Sequence, residues 1–310
     1  MKKQLQGSLS LLICTMIWGS AFIAQSVGMD LIGPFTFQSI RCFLAVLFLF
    51  PMATLLTKNG GTFRESLRKW KDPTLIKAGL ICGSILFIGA SLQQIGLVYT
   101  DAGKAGFITA MYIVMVPLLG LFFQKKPPIN AVISVIIAVI GLYMLSCMGV
   151  ASINIGDIFL LAGALGFAIQ ITAVDRFAQS VDGTRLNCLQ CLVIAVLSLP
   201  FMCITETIQV ENIIACWFPL FYAGIFSMGI AYSLQIIGQK YVEPTAASLL
   251  MSLESVFAAL GGWLILHETM NSRELTGCTL VFIAVIISQF PMGQLVDCWR
   301  STRENRQQNA

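Results

Sequence analysis

A single carboxylate lies in the middle of a long apolar segment. The stretch SLLMSLESVFAALGGWLIL, residues 248–266, contains Glu254 as its one charged residue. A carboxylate at the centre of a bilayer costs a few kcal/mol even on lenient insertion scales. Such a group can bind a proton or a cationic group of a ligand, or it can stay neutral and hydrogen-bond neighbouring helices together. The elements around Glu254 decide which chemistry is open to it.

Arg41 is a second ionisable residue inside an apolar segment. Its guanidinium could be the countercharge for an anionic group of a ligand or for Glu254. Alternatively, its long side chain could snorkel to the lipid headgroups, since it lies about six residues, roughly 9 Å, inside its segment. The shallow depth favours the snorkelling interpretation.

The composition indicates a membrane protein. Of the 310 residues, 57% are hydrophobic and 11% are charged, whereas soluble domains have roughly 25% charged residues. The net charge of +4 comes from basic residues scattered along the chain, so no nucleic-acid partner is predicted. Cys188 and Cys191 have metal-site spacing but no second pair and no nearby histidine, so neither a metal nor a cofactor is predicted. The predicted environment is a lipid bilayer.

Ten apolar segments are long enough to cross a bilayer, which needs about 20 residues each. Sixteen of the 19 Lys and Arg residues lie at the termini, in alternate connections or at the span ends beside them, two lie in or beside the other connections, and Arg41 lies farther inside a span. This asymmetry predicts a multi-pass protein of the cytoplasmic membrane with both termini in the cytoplasm. The predicted spans, numbered 1 to 10, are 8–28, 35–57, 75–99, 104–123, 130–150, 157–178, 186–205, 213–236, 244–266 and 275–294.

The chain also matches itself. RCFLAVLFLFP, ending at Pro51, aligns with QCLVIAVLSLP, ending at Pro200, at an offset of 149 residues. GLVYTDAGKAG, beginning at Gly96, aligns with GQKYVEPTAAS, beginning at Gly238, at an offset of 142. Each half therefore holds five spans, and because five is odd the second half is inverted. The predicted fold is an all-α integral membrane protein of two five-helix inverted repeats, residues 1–150 and 151–310.

Glu254 is expected to face the interior of the bundle. On a helical wheel it shares its face with small residues, which let helices approach closely. The opposite face is expected to contact lipid, and it carries Leu249, Leu253, Val256, Leu260, Trp263 and Leu264. Glu254 is roughly 15 Å from either end of span 9, near the midplane. At the 142-residue offset, its partner in the first half is Tyr112.

Four segments follow a known family pattern: IWGSAFIAQSVG (17–28), SIRCFLAVLFLFP (39–51), LVYTDAGKAGFITAMYIVMVPLLGLFF (97–123) and SLESVFAALGGWLILHETMNSRELTGCTLVF (252–282). With these segments the chain resembles the EamA-like, ten-helix branch of the drug/metabolite transporter superfamily. Ser255 replaces the proline usual in span 9 of the family, so no proline kink is predicted there.

The resemblance implies a secondary carrier, often an exporter, of amino acids and other small metabolites. It also implies that spans 1, 3, 4, 6, 8 and 9 line the cavity. The candidate substrate-binding or coupling residues are then Trp18, Gln25, Gln94, Tyr112, Gln170, Tyr232 and Glu254, together with Arg41.

The sequence lacks the motifs of several other functions. The single histidine excludes a HExxH metalloprotease site, and no GxSxG elbow or Walker-type loop is present, so neither an enzyme nor an ATP-driven pump is predicted. A channel would be expected to show rings of repeated charge or a carbonyl filter. The prediction is an alternating-access transporter of a small-molecule substrate, with proton coupling through Glu254. An uncoupled facilitator, a channel-like permease and a non-transporting scaffold or receptor remain alternatives, and the oligomeric state is left open.

Overall fold

In each of the ten predicted spans, the residues that the structure describes form one or more helices. The computed structural model describes residues 2–55, 62–100, 102–122, 127–146, 154–265 and 271–289, and all regular structure in these ranges is helical. Eight helical segments are long and apolar enough to cross a bilayer, and Ile129–Leu145 is a shorter apolar helix. The helix of span 10 completes the predicted set. In chain order, the spans comprise Lys2–Leu31; Pro34–Leu55; Pro73–Tyr99; Ala102–Thr109 with Tyr112–Phe122; Ile129–Ser146; Ile155–Ala178; Gly183–Thr205; Trp217–Phe221, Tyr222–Ala231 and Tyr232–Gln239; Pro244–Met251 with Leu253–Ile265; and Ser272–Gln289.

The starts of several spans carry residues that cap helices. Asp72 caps span 3, which has proline at its first helical position, and Asp182 caps span 7. Asn154 and Asp157 form a reciprocal capping box at the start of span 6. Two short helices lie outside the spans, Phe63–Lys69 between spans 2 and 3 and Val210–Ala215 before span 8. We call the end of the bundle at which spans 1 and 3 begin the basic end, because Lys2, Lys3 and Lys71 lie there.

The two halves make equivalent contacts at equivalent positions. Near the end of span 3, a Cβ atom on Gly96 would lie 3.0 Å from the carbonyl oxygen of Gly156 in span 6. Near the end of span 8, a Cβ atom on Gly238 would lie 2.9 Å from the carbonyl oxygen of Gly7 in span 1. Gly238 follows Gly96 by 142 residues, and Gly156 follows Gly7 by 149. The predicted repeat is therefore confirmed at both of its offsets.

Helices at equivalent positions run in opposite directions. Spans 2 and 7 pack side by side, and Glu206 at the end of span 7 accepts a hydrogen bond from the backbone of Phe35 at the start of span 2. At the basic end, Arg185 at the start of span 7 donates to the carbonyl of Ala53 near the end of span 2. Spans 5 and 10 are also antiparallel, because the first turn of span 5 bonds to the last turn of span 10. The second half is thus inverted relative to the first, as predicted.

Spans 4 and 9 are interrupted at the same point of the repeat. A turn at Ala110 separates the two helices of span 4, and a turn at Ser252 separates the two helices of span 9. These residues are 142 positions apart. The interruption of span 9 forms without the proline usual in the family. Tight three-residue hydrogen bonds, such as the one from Ser255 N to Ser252 O, replace the regular helical pattern there.

Span 8 contains a ten-residue π-helix that the sequence did not predict, Tyr222–Ala231. A wider helical turn displaces backbone carbonyls from the usual α-helical pattern. Asn187 of span 7 is fully buried against this segment, and its amide nitrogen lies 2.8 Å from the carbonyl of Met228 and 3.0 Å from that of Gly229. The same nitrogen contacts the hydroxyl of Ser233 at 3.0 Å. A side chain of the neighbouring span therefore stabilises the irregular backbone.

Span 9 lies deeper in the bundle than the wheel predicted. Leu249, Leu253 and Val256 are at most 1% exposed, so their predicted contact with lipid is wrong, whereas Trp263 of the same predicted face is 48% exposed, as expected. The reason is that span 9 packs against spans 1, 4, 5, 6 and 10, which cover most of its circumference. Glu254 is buried, as expected. The predicted boundary between residues 150 and 151 lies outside the described residues.

Candidate functional site

A central cavity lies where the two halves meet. Its volume is about 50 Å³, room for a few water molecules. It is bounded by spans 1, 2, 3, 4, 6, 8 and 9, and its wall mixes aromatic, aliphatic and polar side chains. The lining residues are Trp18, Phe22, Gln25, Arg41, Gln93, Thr109, Tyr112, Phe167, Gln170, Ile171, Ser227, Met228, Tyr232, Gln235, Met251 and Glu254.

Seven of the eight predicted site residues line this cavity, and Gln94 does not. The amide of Gln94 is fully buried and its nitrogen donates to the sulfur of Met29 at 3.2 Å. The preceding residue, Gln93, lines the cavity instead. One residue along a helix rotates a side chain by about 100°. The sequence therefore located the correct turn of span 3 but not the side chain that faces the cavity.

Glu254 and Tyr112 meet across the boundary between the halves. The Tyr112 hydroxyl donates to Glu254 Oε1 at 3.1 Å, and both side chains are 4% exposed. They are repeat partners and each follows the interruption of its span, so the pseudo-two-fold axis passes between them. Among the described residues, no basic side chain forms an ion pair with Glu254. The carboxyl group is thus buried with one neutral hydrogen-bond donor.

Arg41 points into the bundle and does not snorkel. It is 2% exposed, and its Nη1 atom donates to Gln25 Oε1 at 2.6 Å. Its Nη2 atom lies 3.4 Å from Gln38 Oε1, and its guanidinium is 5.4 Å from the centre of the Phe37 ring. No carboxylate of the described residues pairs with it. The snorkelling interpretation was therefore wrong, because neutral amides within the bundle solvate the charge at mid-span.

Trp18 and Tyr232 form an aromatic corner of the cavity. Their rings meet edge to face, with centroids 4.8 Å apart. The indole Nε1–H of Trp18 is buried and has no hydrogen-bond partner among the described residues. A buried donor without a partner costs roughly 1–3 kcal/mol. The corner therefore offers a donor to any acceptor that enters the cavity.

Much of the wall consists of repeat partners. Gln93 and Gln235 are 142 residues apart, and so are Thr109 and Met251. Trp18 and Phe167 are 149 residues apart, and so are Phe22 and Ile171, and all of these residues line the cavity.

The charges break this symmetry. The partner of Arg41 is Gln190, and the partner of Glu254 is Tyr112. The cavity therefore has two similar walls but only one cation and one carboxyl group.

The repeat is also the signal that could have found several missed residues. Applying the two offsets to the predicted residue Trp18 and to Gln235 identifies Phe167 and Gln93 as wall positions. Ser227 and Met228 carry no such signal, because they face the cavity from the π-helix. Among the described residues, no group of three His, Cys, Asp or Glu side chains is placed to hold a metal ion.

Comparison with known proteins gives the family. The model of the EamA-like transporter family matches residues 5–147 and again 154–290. An uncharacterized transporter of Archaeoglobus fulgidus is 33% identical over 288 residues, which cover 92% of this chain and 86% of the relative. The uncharacterized transporter YoaV of Bacillus subtilis is 22% identical, covering 91% of this chain and 96% of its own.

A plant protein and a solved structure extend the likeness. A WAT1-related chloroplastic protein of Arabidopsis thaliana is 25% identical over 89% of this chain and 67% of its own. A protein crystal structure with 16% identity superposes with a TM-score of 0.74 over 91% of this chain and 96% of the other, which shows a shared fold. The chain therefore belongs to the EamA-like transporter family of the drug/metabolite transporter superfamily, and it is a multi-pass membrane transporter and not an enzyme.

Proposed function

We propose that this protein is a secondary transporter that carries small metabolites, such as amino acids, by alternating access. The observation that carries the proposal is the buried pair Glu254–Tyr112 in a polar cavity at the junction of two inverted halves. Transporters with inverted repeats bind their substrates near the midplane, where interrupted helices meet. Both interrupted spans of this chain contribute to the cavity wall.

Glu254 is proposed as the coupling residue. A buried carboxyl group without a cationic partner is favoured as the neutral acid, and it can ionise when water or a cationic substrate group reaches it. In this role Glu254 binds a proton or the ammonium group of the substrate, and the hydroxyl of Tyr112 orients its carboxyl group. Binding that alternates between proton and substrate would couple transport to the proton gradient.

Arg41 is proposed to bind an anionic group of the substrate. Guanidinium groups bind carboxylates through paired N–H donors. Gln25 holds one guanidinium nitrogen, and the Nε–H of Arg41 has no partner among the described residues. Because Glu254 also lines the cavity, the cavity has one cationic and one acidic position, which suits a zwitterionic substrate.

Admission of such a substrate requires the halves to move. Ligand pockets usually have volumes of roughly 300–1,000 Å³, whereas this cavity has about 50 Å³. The seams between spans 3 and 6 at one end and spans 1 and 8 at the other are closely packed at glycines. Opening one seam while the other stays closed would expose the cavity to one side at a time. The proposed location is the cytoplasmic membrane with the basic end inside, and the direction of export rests on the family resemblance.

The test is reconstituted transport. Proteoliposomes containing the purified protein are assayed with labelled amino acids, nucleosides and organic cations, with and without a pH gradient, and with unlabelled substrate on the opposite side. The proposal expects saturable flux of an amino acid, counterflow and acceleration by a pH gradient. Flux without counterflow would identify a channel, flux that ignores the gradient would identify an uncoupled facilitator, and no flux of any compound would indicate a scaffold or receptor.

Replacement of Glu254 tests the coupling step. Glu254→Gln keeps the size and a hydrogen-bonding group but cannot ionise, so acceleration by a pH gradient should disappear. Glu243→Gln is the matched control, because Glu243 precedes the same span and is exposed outside the cavity. A Glu254→Gln protein that responds to the gradient like the native protein would exclude proton coupling through Glu254.

A further inference from the structure

A chain of three buried glutamines leads to the cavity in the second half. Gln235 donates from Nε2 to Gln170 Oε1 at 3.2 Å, and Gln170 donates from Nε2 to Gln190 Oε1, also at 3.2 Å. All three side chains are at most 1% exposed. Gln170 and Gln235 line the cavity, and Gln190 supports them from within the bundle. The chain joins spans 6, 7 and 8.

This chain occupies the position that the arginine occupies in the first half. Gln190 is the repeat partner of Arg41, and each residue hydrogen-bonds to a glutamine of the adjacent span, Gln170 for the former and Gln25 for the latter. The cavity thus has a charged polar arm on one side and a neutral polar arm on the other. Arg41 offers a cationic partner in the first half, whereas the corresponding arm of the second half offers uncharged amides in addition to the carboxyl group of Glu254.

The neutral arm ends in an atom that lacks a partner. The Oε1 atom of Gln235 is buried and unpaired among the described residues, and at the other end of the chain so is the Nε2 atom of Gln190. A side-chain amide has an acceptor oxygen on one side and a nitrogen with two N–H donors on the other. If all three amides rotate by 180°, the chain reverses and Gln235 presents a donor in place of an acceptor. The arm can therefore bind either kind of uncharged hydrogen-bonding group.

We propose that Gln235, supported by Gln170 and Gln190, is a specificity-determining subsite for an uncharged hydrogen-bonding group of the substrate, such as a hydroxyl or a carboxamide. A site with a buried amide discriminates against an analogue that lacks the matching group, because the amide is then left unpaired. The inference deepens the proposed function and rests on it. It predicts a preference for polar over isosteric apolar substrates.

The experiment compares two isosteric pairs, threonine with valine and glutamine with methionine, in proteoliposomes. The flux ratio of the polar to the apolar member is measured for the native protein and for Gln235→Leu. We expect the native ratio of at least one pair to exceed one and to fall about tenfold in the variant, the size expected for one hydrogen bond to an otherwise unpaired amide. Retained flux of the apolar member shows that the variant is folded.

Two further variants make the test specific. Gln170→Leu removes the acceptor that orients Gln235, so the same ratio should fall in the same direction. Gln94→Leu is the control, because Gln94 is also a buried amide but does not line the cavity and donates to the sulfur of Met29 at 3.2 Å, so the ratio should stay within about twofold of the native value.

Two results would overturn the subsite in different ways. Native flux ratios near one, or ratios that Gln235→Leu leaves unchanged, would mean that water satisfies the amide and that the subsite has no role in selection. A native protein that carries none of the four amino acids would reject the subsite as proposed, whereas only a native protein that carries no compound of the whole panel would contradict the proposed function itself.

Discussion

The two ionisable residues of the cavity are solvated by neutral side chains. Arg41 is held by the amide of Gln25, and Glu254 by the hydroxyl of Tyr112. Isolated charges away from water are unfavourable unless they are hydrogen-bonded or paired. Neither residue has an ionic partner among the described residues, so each remains able to bind a charged group that enters the cavity. This arrangement differs from a structural ion pair, in which the two charges would satisfy each other.

Replacement of Arg41 tests its role in substrate binding. In Arg41→Met, transport of an amino acid should fall by about 10- to 100-fold, the range expected for losing a hydrogen bond to a charged group. Transport of the corresponding amine, which lacks the carboxylate, should change much less. The measurement is flux of both compounds at equal amounts of protein in the membrane.

Arg273→Met is the control for this change, because Arg273 is exposed and stacks on Tyr143 away from the cavity. Equal losses of amino acid and amine transport in Arg41→Met would assign Arg41 a structural role.

At the scale of the helices, irregular segments converge on the cavity. Span 8 contributes Ser227, Met228 and Tyr232 from a π-helix and the α-helix that follows it, while spans 4 and 9 contribute residues beside their interruptions. Irregular backbone within a membrane requires other partners for its polar groups. In span 8, Asn187 supplies these hydrogen bonds from span 7. The shape of the cavity therefore depends on residues that do not line it.

Removal of the Asn187 amide should destabilise the protein. Asn187→Leu leaves the carbonyls of Met228 and Gly229 without this donor in a buried site, which should lower the free energy of unfolding by about 1–3 kcal/mol. The measurement is thermal unfolding of the purified protein in detergent. Asn212→Leu is the control, since its amide bonds to Gln209 at the exposed surface. Unchanged stability of Asn187→Leu would show that the π-helix does not need this side chain.

At the scale of the whole molecule, the two seams are alike in packing but differ in charge. Close glycine contacts occur at both ends. At the end opposite the basic end, Lys104 of span 4 also forms a 2.6 Å ion pair with Asp157 of span 6. The hydroxyl of Thr100 donates to the side-chain oxygens of Asn154 and Asp157 at the same end. The repeat partners of Lys104 and Asp157 are Ala246 and Ser8, which cannot form an ion pair. The inverted halves are therefore not energetically equivalent.

Loss of the ion pair should favour opening at its end of the bundle. Lys104→Met and Asp157→Asn each remove the ionic link, and asparagine keeps an oxygen that can cap span 6. Each variant should raise the labelling rate of a reporter cysteine introduced at Phe22 by about two- to fivefold. This increase corresponds to the free energy that a partly exposed ion pair such as Lys104–Asp157 contributes. The reagent is a membrane-impermeant maleimide added at that end, in a background without the native cysteines.

The double variant is the control for this result. If the two residues act through one link, the double variant should label no faster than either single variant. Additive increases, or no increase in any variant, would show that the ion pair does not hold the seam closed.

The sequence alone determined the features that depend on local pattern. Apolar length defined the ten spans, residue spacing defined the repeat, and an odd number of spans per half required the inversion. The isolated carboxylate marks Glu254 as a site residue, and the 142-residue offset pairs it with Tyr112, to which it is hydrogen-bonded in the structure.

Only the tertiary structure decided which side chains meet. The direction of a side chain depends on the rotation of its helix, which is set by packing and changes by about 100° per residue. For this reason Gln93 and not Gln94 faces the cavity, Arg41 is buried and not snorkelled, and span 9 buries Leu249 and Leu253, which its own pattern placed toward lipid. The π-helix could not be read from its own segment either, because the side chain that stabilises it, Asn187, lies on a different span.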